Sequence, residues 1–366
     1  MNADQDVEGV DYDSVDGWGD YPLDAVFVRT ESRSVNEVVN RILNNRYILD
    51  PEFQRDFVWS INKQSKLIES CVMRIPLPVF YVAEAPDGRI IVVDGLQRLT
   101  TFVRFLEGRF KLNGLSRDGS KNHLLEGRAF QDLPINLQER ILDTQLTMYI
   151  LDAKAPERAR LDIFERVNSG EPLTRQQMRN ALYSGPATLW LRLAAESDNF
   201  RFATGQSLNS KTMRDREAIN RFCAFKLIGW KNYITGDMDS FLAKGLQHLS
   251  QLHDSTLDEL FKIFDNSMFI NRELFNDHAF RKSLTGSRYS ARSVINISLF
   301  EVCSVTLSNF SQAELLYKKD KVKSAITELL LNDDFLRSIT YSTNSTASVH
   351  KRFYLMESAI SQVINS

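Results

Sequence analysis

Residues 79–106 contain two apolar runs and then change abruptly to helical spacing. The second run, Ile90–Val93, is apolar at four successive positions, which is typical of a strand covered on both faces. The first run, at 79–83, is separated from it by a segment with Pro-Asp-Gly turn chemistry. After Asp94 and Gly95, apolar residues recur on one helix face, at Leu96, Leu99, Val103 and Leu106. The pattern predicts a β-hairpin whose second strand leads directly into a helix.

The rest of the chain divides into a mixed part and a helical part. Strand patterns occur at residues 47–49, 109–112 and 145–151. Helical spacing occurs at residues 34–44, where Ser34 suits the N-cap, and at 62–73, 157–168 and 174–184. Beyond about residue 186 helical patterning dominates, with breaks predicted near 203–209 and 284–292. The predicted fold class is therefore α+β, with a mostly α-helical C-terminal domain.

The charge is unevenly distributed along the chain. Residues 1–20 contain seven acidic and no basic side chains, so the remaining 45 basic and 40 acidic residues give a body of +5. We expect this acidic segment to be a disordered tail. Its acids do not match the spacing of a calcium loop. No apolar run approaches the length of a membrane span, and the N-terminus does not resemble a signal peptide, so we expect a cytoplasmic protein that does not contact membranes.

The cysteines and histidines exclude several kinds of site. Cys71, Cys223 and Cys303 are far apart and form no CxxC motif, which predicts buried thiols and no protein-held metal. The five histidines form neither an HExxH motif nor an HNH-like pair, and no GxSxG serine elbow occurs. Any chemistry therefore needs other residue types.

The turn at Asp94 and Gly95 is the strongest candidate for a functional site. Free N–H groups and the positive end of the dipole make the start of a helix suitable for an anion. Gly95 lets the backbone approach a phosphate closely, and Arg98 can donate to the phosphate oxygens. Thr101 follows three residues later and is predicted to border the same pocket. The alternative is structural, with Asp94 capping the helix and Arg98 pairing with a carboxylate.

Two further segments combine polar and apolar residues. In FQRDFVW, at residues 53–59, Gln54 and Arg55 lie among aromatic residues, which suits phosphate or base recognition but also suits a loop that plugs the core. In IFERVNSG, at residues 163–170, Arg166 and Asn168 follow a buried helical stripe and could face a ligand. Thr174 then begins a capping box with Gln177. The helix that follows is either structural or a DNA-reading helix, because base-edge readers occur at Arg175, Gln176, Arg179 and Asn180.

Together, three segments resemble one family. FQRDFVWS, VVDGLQRLTTF and IFERVNSGEPLTRQQMRNAL occur in the order and approximate spacing of the N-terminal GmrS-type domain of GmrSD-like modification-dependent restriction systems. That domain is related to the ParB and sulfiredoxin fold, which has a small mixed sheet. The resemblance covers roughly residues 30–200. It implies a nucleotide-binding domain at 21–200, between the acidic tail predicted from charge at 1–20 and the helical domain predicted from spacing at 201–366.

The resemblance also implies a function in modification-sensing or anti-phage DNA restriction. A nucleoside triphosphate with Mg²⁺ is expected at the turn, which makes the protein an NTPase. The implied catalytic residues are Asp94, Gln97 and Arg98. The implied nucleotide-binding residues are Gly95, Thr100, Gln54, Arg55 and Asn168, with Thr101 added from its spacing.

This chain departs from the family motif in two respects. Leu96 stands where the family commonly has Gln, which bears on hydrolysis more than on binding. No histidine-rich nuclease motif occurs between residues 200 and 366, so a separate nuclease subunit is the expected partner, with DNA as a further ligand. The alternative is a non-catalytic module that senses nucleotide or DNA and regulates that nuclease.

Overall fold

The computed structural model describes residues 7–8, 28–49, 59–85, 87–115, 123–167, 174–285 and 291–366. It divides into two compact units, Trp18–Leu173 and Thr174–Ser366 together with Met1–Gly17. The predicted domain bounds, 1–20, 21–200 and 201–366, remain predictions. Among the described residues, no helix combines the length and the apolar character needed to cross a membrane.

The first unit contains a five-stranded mixed sheet. Its strands, numbered after β1 (Val7–Glu8) of the other unit, are β2 (Val28–Ser34), β3 (Tyr47–Ile48), β4 (Phe80–Glu84), β5 (Ile90–Asp94) and β6 (Gln145–Leu151). They lie in the order β2-β6-β4-β5-β3. The predicted hairpin is confirmed, because β4 and β5 pair antiparallel; β4 also pairs with β6 in parallel. The sheet confirms the predicted α+β class.

The strand predicted at residues 109–112 is wrong. Phe110 and Leu112 are buried in the core, which explains their apolar character. The backbone of Leu112 exchanges hydrogen bonds with Gly127 and Arg128, which lie in a turn, so the segment joins no sheet.

Helices pack against one face of this sheet, and they are α1 (Val35–Leu43), α2 (Ile61–Val72), α3 (Leu96–Leu106) and α4 (Ile135–Leu142). A further helix, α5 (Glu157–Val167), follows β6. Ser34 caps α1 as predicted, since its side chain accepts a hydrogen bond from the Glu37 N–H. The core between sheet and helices includes Phe80, Val92 and Phe102, all without exposed surface. Because Ile91 and Val93 are also buried, both faces of β5 are covered as predicted.

The second unit is almost wholly helical. Its elements are α6 (Arg175–Leu182), α7 (Pro186–Ala195), α8 (Asp198–Thr204), α9 (Arg214–Leu227), α10 (Met238–Ser250), α11 (Asp254–Phe275), β7 (Ile295–Asn296), α12 (Ile297–Leu307), α13 (Gln312–Tyr317), α14 (Lys319–Leu329), α15 (Asp333–Ser338) and α16 (Thr346–Asn365). The strand β1 pairs with β7 in parallel, and Glu8 forms an ion pair with Lys282. The other residues of the acidic segment 1–20 lie outside the described residues.

A buried ionic cluster connects three helices of this unit. Glu301 of α12 lies between Arg221 of α9 and Arg352 of α16, and all three side chains are at most 2% exposed. Arg221 Nη1 lies 3.0 Å from Glu301 Oε2, and Arg352 Nε lies 2.9 Å from Glu301 Oε1. The cluster fixes the mutual positions of α9, α12 and α16.

Candidate functional site

Gly95 makes the sharp turn between β5 and α3. Its φ of +107° is a conformation that L side chains rarely adopt. A Cβ atom at this position would lie 2.3 Å from Cδ1 of the buried Phe80 on β4. The glycine is therefore required both by the backbone conformation and by the packing of Phe80 beneath the turn.

Arg98 holds this turn from the inside. Its Nη2 donates to Asp94 Oδ2 at 2.8 Å and to the Val79 carbonyl at 3.0 Å, and its Nη1 donates to the Pro78 carbonyl. The guanidinium lies over the Phe80 ring, 4.1 Å from its centroid. Burial lowers the pKa of Arg98, and Asp94 opposes that effect. The guanidinium therefore binds groups of the protein itself. This agrees with the alternative in which Arg98 pairs with a carboxylate and has a structural role.

Asp94 is the accessible partner of this ion pair. Its side chain is 43% exposed, whereas that of Arg98 is 11% exposed. Arg98 binds Oδ2, and Oδ1 has no hydrogen-bond partner among the described residues. The N-cap residue of α3 is Gly95, which has no side chain to bond the N–H groups of the first turn. An oriented carboxylate oxygen and a helix start with a glycine N-cap therefore occur at the same turn.

Gln97 connects this turn to the start of α2. Its Oε1 accepts a hydrogen bond from the backbone N–H of Trp59 at 3.4 Å. Lys63 lies over the Trp59 ring, 4.5 Å from the centroid. The structure thus brings the end of the FQRDFVW segment to the predicted site. Gln54 and Arg55 themselves lie outside the described residues, as does Asn168.

The two threonines of the motif have different surroundings. Thr100 is half-buried, and Thr101 is fully buried, with its hydroxyl donating to the Gln97 carbonyl at 2.7 Å. Thr101 therefore faces the core in this structure. Leu96 is partly buried against the same core.

The DNA-reading interpretation of α6 is wrong. Three of its four candidate readers are at most 1% exposed, namely Gln176, Arg179 and Asn180. Arg175 lies 2.5 Å and Arg179 3.4 Å from the carboxylate of Asp239. Base edges cannot reach these side chains, so α6 is a structural helix. The predicted capping box of Thr174 and Gln177 is confirmed.

Sequence reasoning missed two features beside the turn. Phe80 contacts both Gly95 and Arg98, but nothing in the apolar run distinguishes it from other core residues. Gln64 on α2 is 1% exposed and donates to the Trp59 carbonyl, while its Oε1 has no hydrogen-bond partner in the described part of the chain. The ion pair between Asp94 and Arg98 could be predicted from the sequence, because residues four apart on a helix are neighbours.

Residues 35–184 match a family of DNA restriction proteins. The family is described as the GmrSD restriction endonuclease, N-terminal domain. This match confirms the resemblance of the three motifs to that type of domain. The matched residues include the whole turn from Asp94 to Thr101. The comparison with curated protein sequences found no match.

Proposed function

We propose that the first unit binds a nucleoside triphosphate at the turn between β5 and α3, as the nucleotide-handling component of a DNA restriction system. The observation that carries the proposal is the Asp94 carboxylate. It lies partly exposed at a helix start whose N-cap is Gly95, with one oxygen held by Arg98. Backbone N–H groups at such a position favour phosphate oxygens.

The residues fit Mg²⁺ that arrives with the nucleotide. Mg²⁺ is usually bound by one or two carboxylates together with substrate phosphates and water. Asp94 supplies one such carboxylate. Among the described residues, no three His, Cys, Asp or Glu side chains form a group that could hold a metal ion. Bound Mg²⁺ would neutralise phosphate charge, and Asp94 is the residue that would hold it.

The residues of the turn receive separate roles in this proposal. Asp94 and Gln97 are the proposed catalytic groups, and the Gln97 amide would orient the attacking water. Arg98 is a positioning residue, because its donors are occupied by Asp94 and by two carbonyls. Gly95 and Thr100 would border the phosphates. Gln54, Arg55 and Asn168 remain proposed nucleotide contacts.

One observation favours a second candidate function. Arginines that accelerate phosphoryl transfer donate to the transferred phosphate, whereas Arg98 is buried against Asp94 and Phe80. This supports a module that binds nucleotide without turnover and regulates a separate nuclease. In both candidates a partner subunit cuts the DNA, in a cytoplasmic anti-phage system. The small mixed sheet also supports our proposal of a ParB and sulfiredoxin relationship.

Titration calorimetry with each NTP and Mg²⁺, together with a phosphate-release assay, tests both candidates. Binding with turnover supports the NTPase, binding without turnover supports the sensor, and absence of binding contradicts both. If the protein is an NTPase, Gln97→Ala is expected to lower turnover about 100-fold with little change in affinity, because it removes a water-positioning group. Gln131→Ala, an exposed glutamine in the same unit, is the matched control.

A further inference from the structure

Arg281 in the second unit is a buried cation with only neutral partners. The residue is 3% exposed. Its guanidinium donates to the Thr204 carbonyl at 3.0 Å, to Ser207 Oγ at 2.7 Å and to the Ser293 carbonyl. Its Nε has no hydrogen-bond partner among the described residues. Within the described parts of the chain, Arg281 forms no ion pair with a carboxylate.

A second guanidinium lies beside it. A Cβ atom built on Gly205 would lie 3.0 Å from Arg292 Nη1 and 3.7 Å from Arg281 Nη2, so both groups approach the same point. Arg292 is exposed and likewise forms no ion pair among the described residues. Burial lowers the pKa of Arg281, Arg292 lowers it further, and the exposed Asp277 opposes them.

This arrangement is unfavourable without an anion. A buried charge is stable only when partners compensate its lost hydration, and two neighbouring guanidinium groups repel each other. Among the described residues, Arg292 makes no hydrogen bond that would hold it beside Arg281. Planar guanidinium donors match the oxygens of a phosphate. The Ser207 hydroxyl lies beside them, accepting from Arg281 and donating to the Gly205 carbonyl at 3.4 Å.

We propose that Arg281, Arg292 and Ser207 form a phosphate-binding site in the helical unit, separate from the nucleotide site proposed in the first unit. Arg281 is anchored by backbone carbonyls, and Arg292 closes on the anion from the exposed side. The phosphate belongs either to the DNA backbone or to a free phosphate or nucleotide. The site does not depend on the proposed nucleotide function.

The test compares Arg292→Ala with the control Arg140→Ala. Arg140 is an exposed arginine on α4 that forms no ion pair among the described residues. Binding of inorganic phosphate is measured by calorimetry, and binding of a short DNA duplex by fluorescence anisotropy at several salt concentrations. Arg292→Ala is expected to weaken binding about tenfold, because it removes one charge-assisted contact. If DNA supplies the phosphate, the slope of log affinity against log salt also falls by about 0.9. If the protein binds inorganic phosphate but not the DNA duplex, the ligand is a free anion.

A second variant approaches the site from the backbone. Gly205→Ala would place a Cβ against Arg292 Nη1 and displace the guanidinium, whereas Gly236→Ala at a similar positive φ has its nearest contact at 3.7 Å. The first variant is expected to lose binding and the second to retain it. The proposal is overturned if Arg292→Ala and Gly205→Ala both bind the two probes with wild-type affinity. It is also overturned if the wild type binds neither probe.

Discussion

The two units use arginine–carboxylate pairs in opposite ways. In the second unit, Glu301 is fully buried and both of its oxygens are held by arginines. In the first unit, the arginine is buried and the carboxylate is not, since Asp94 is 43% exposed and Arg98 11%. The buried cluster has no capacity left for a ligand. In the Asp94 pair, one carboxylate oxygen remains available for a ligand. Similar residues therefore stabilise the packing in one unit and form a candidate site in the other.

The largest effect is expected from breaking the buried cluster. Glu301→Ala removes the carboxylate that pairs with Arg352 and leaves Arg221 with the more distant Glu217, at 3.7 Å. We expect the free energy of unfolding to fall by about 3–5 kcal/mol. Urea denaturation followed by circular dichroism measures this. The control is Glu273→Ala, which removes an ion pair with Lys319 whose side chains are each 41% exposed; it is expected to change stability by no more than about 1 kcal/mol. Equal effects of the two variants would contradict a structural role for Glu301.

A smaller loss of stability is expected from the turn in the first unit. Gly95→Ala introduces a strained φ of +107° and a Cβ contact of 2.3 Å with Phe80, whereas Gly88→Ala has φ +80° and nothing within 4 Å. We expect Gly88→Ala to lower the free energy of unfolding by about 1 kcal/mol from backbone strain. Gly95→Ala should cost about 1–3 kcal/mol more because of overpacking. The same denaturation experiment measures both, and similar losses would mean that Phe80 does not constrain the turn.

The hairpin, the α3 helix and the helical second unit could be predicted because each has a strong local pattern. Ile90–Val93 and the apolar positions of α3 show their burial directly in their spacing. The strand prediction for the short segment at 109–112 failed because its apolar side chains are buried in the core while its backbone bonds to Gly127 and Arg128, and spacing alone cannot separate that from a strand.

The candidate site was predictable in its position but not in its orientation. The motif located Asp94 and Gly95, but which partner of the ion pair is buried depends on Phe80 and on the carbonyls of Pro78 and Val79. These contacts come from the start of β4 and the two residues before it, and they leave no signal in the motif itself. For the same reason α6 resembled a DNA-reading helix, although Asp239 of α10 binds two of its arginines.

The most direct test of the account is the affinity of Asp94→Asn for NTP and Mg²⁺, measured by titration calorimetry beside Asp87→Asn. Asp87 is exposed in the same hairpin and pairs with Arg89, so its substitution removes the same charge away from the turn. If the wild type binds nucleotide through Asp94, Asp94→Asn should weaken binding at least about tenfold, which corresponds to about 1.4 kcal/mol, and Asp87→Asn should leave it unchanged. Equal affinity of Asp94→Asn and the wild type would contradict the assignment of Asp94 as the ligand-binding carboxylate.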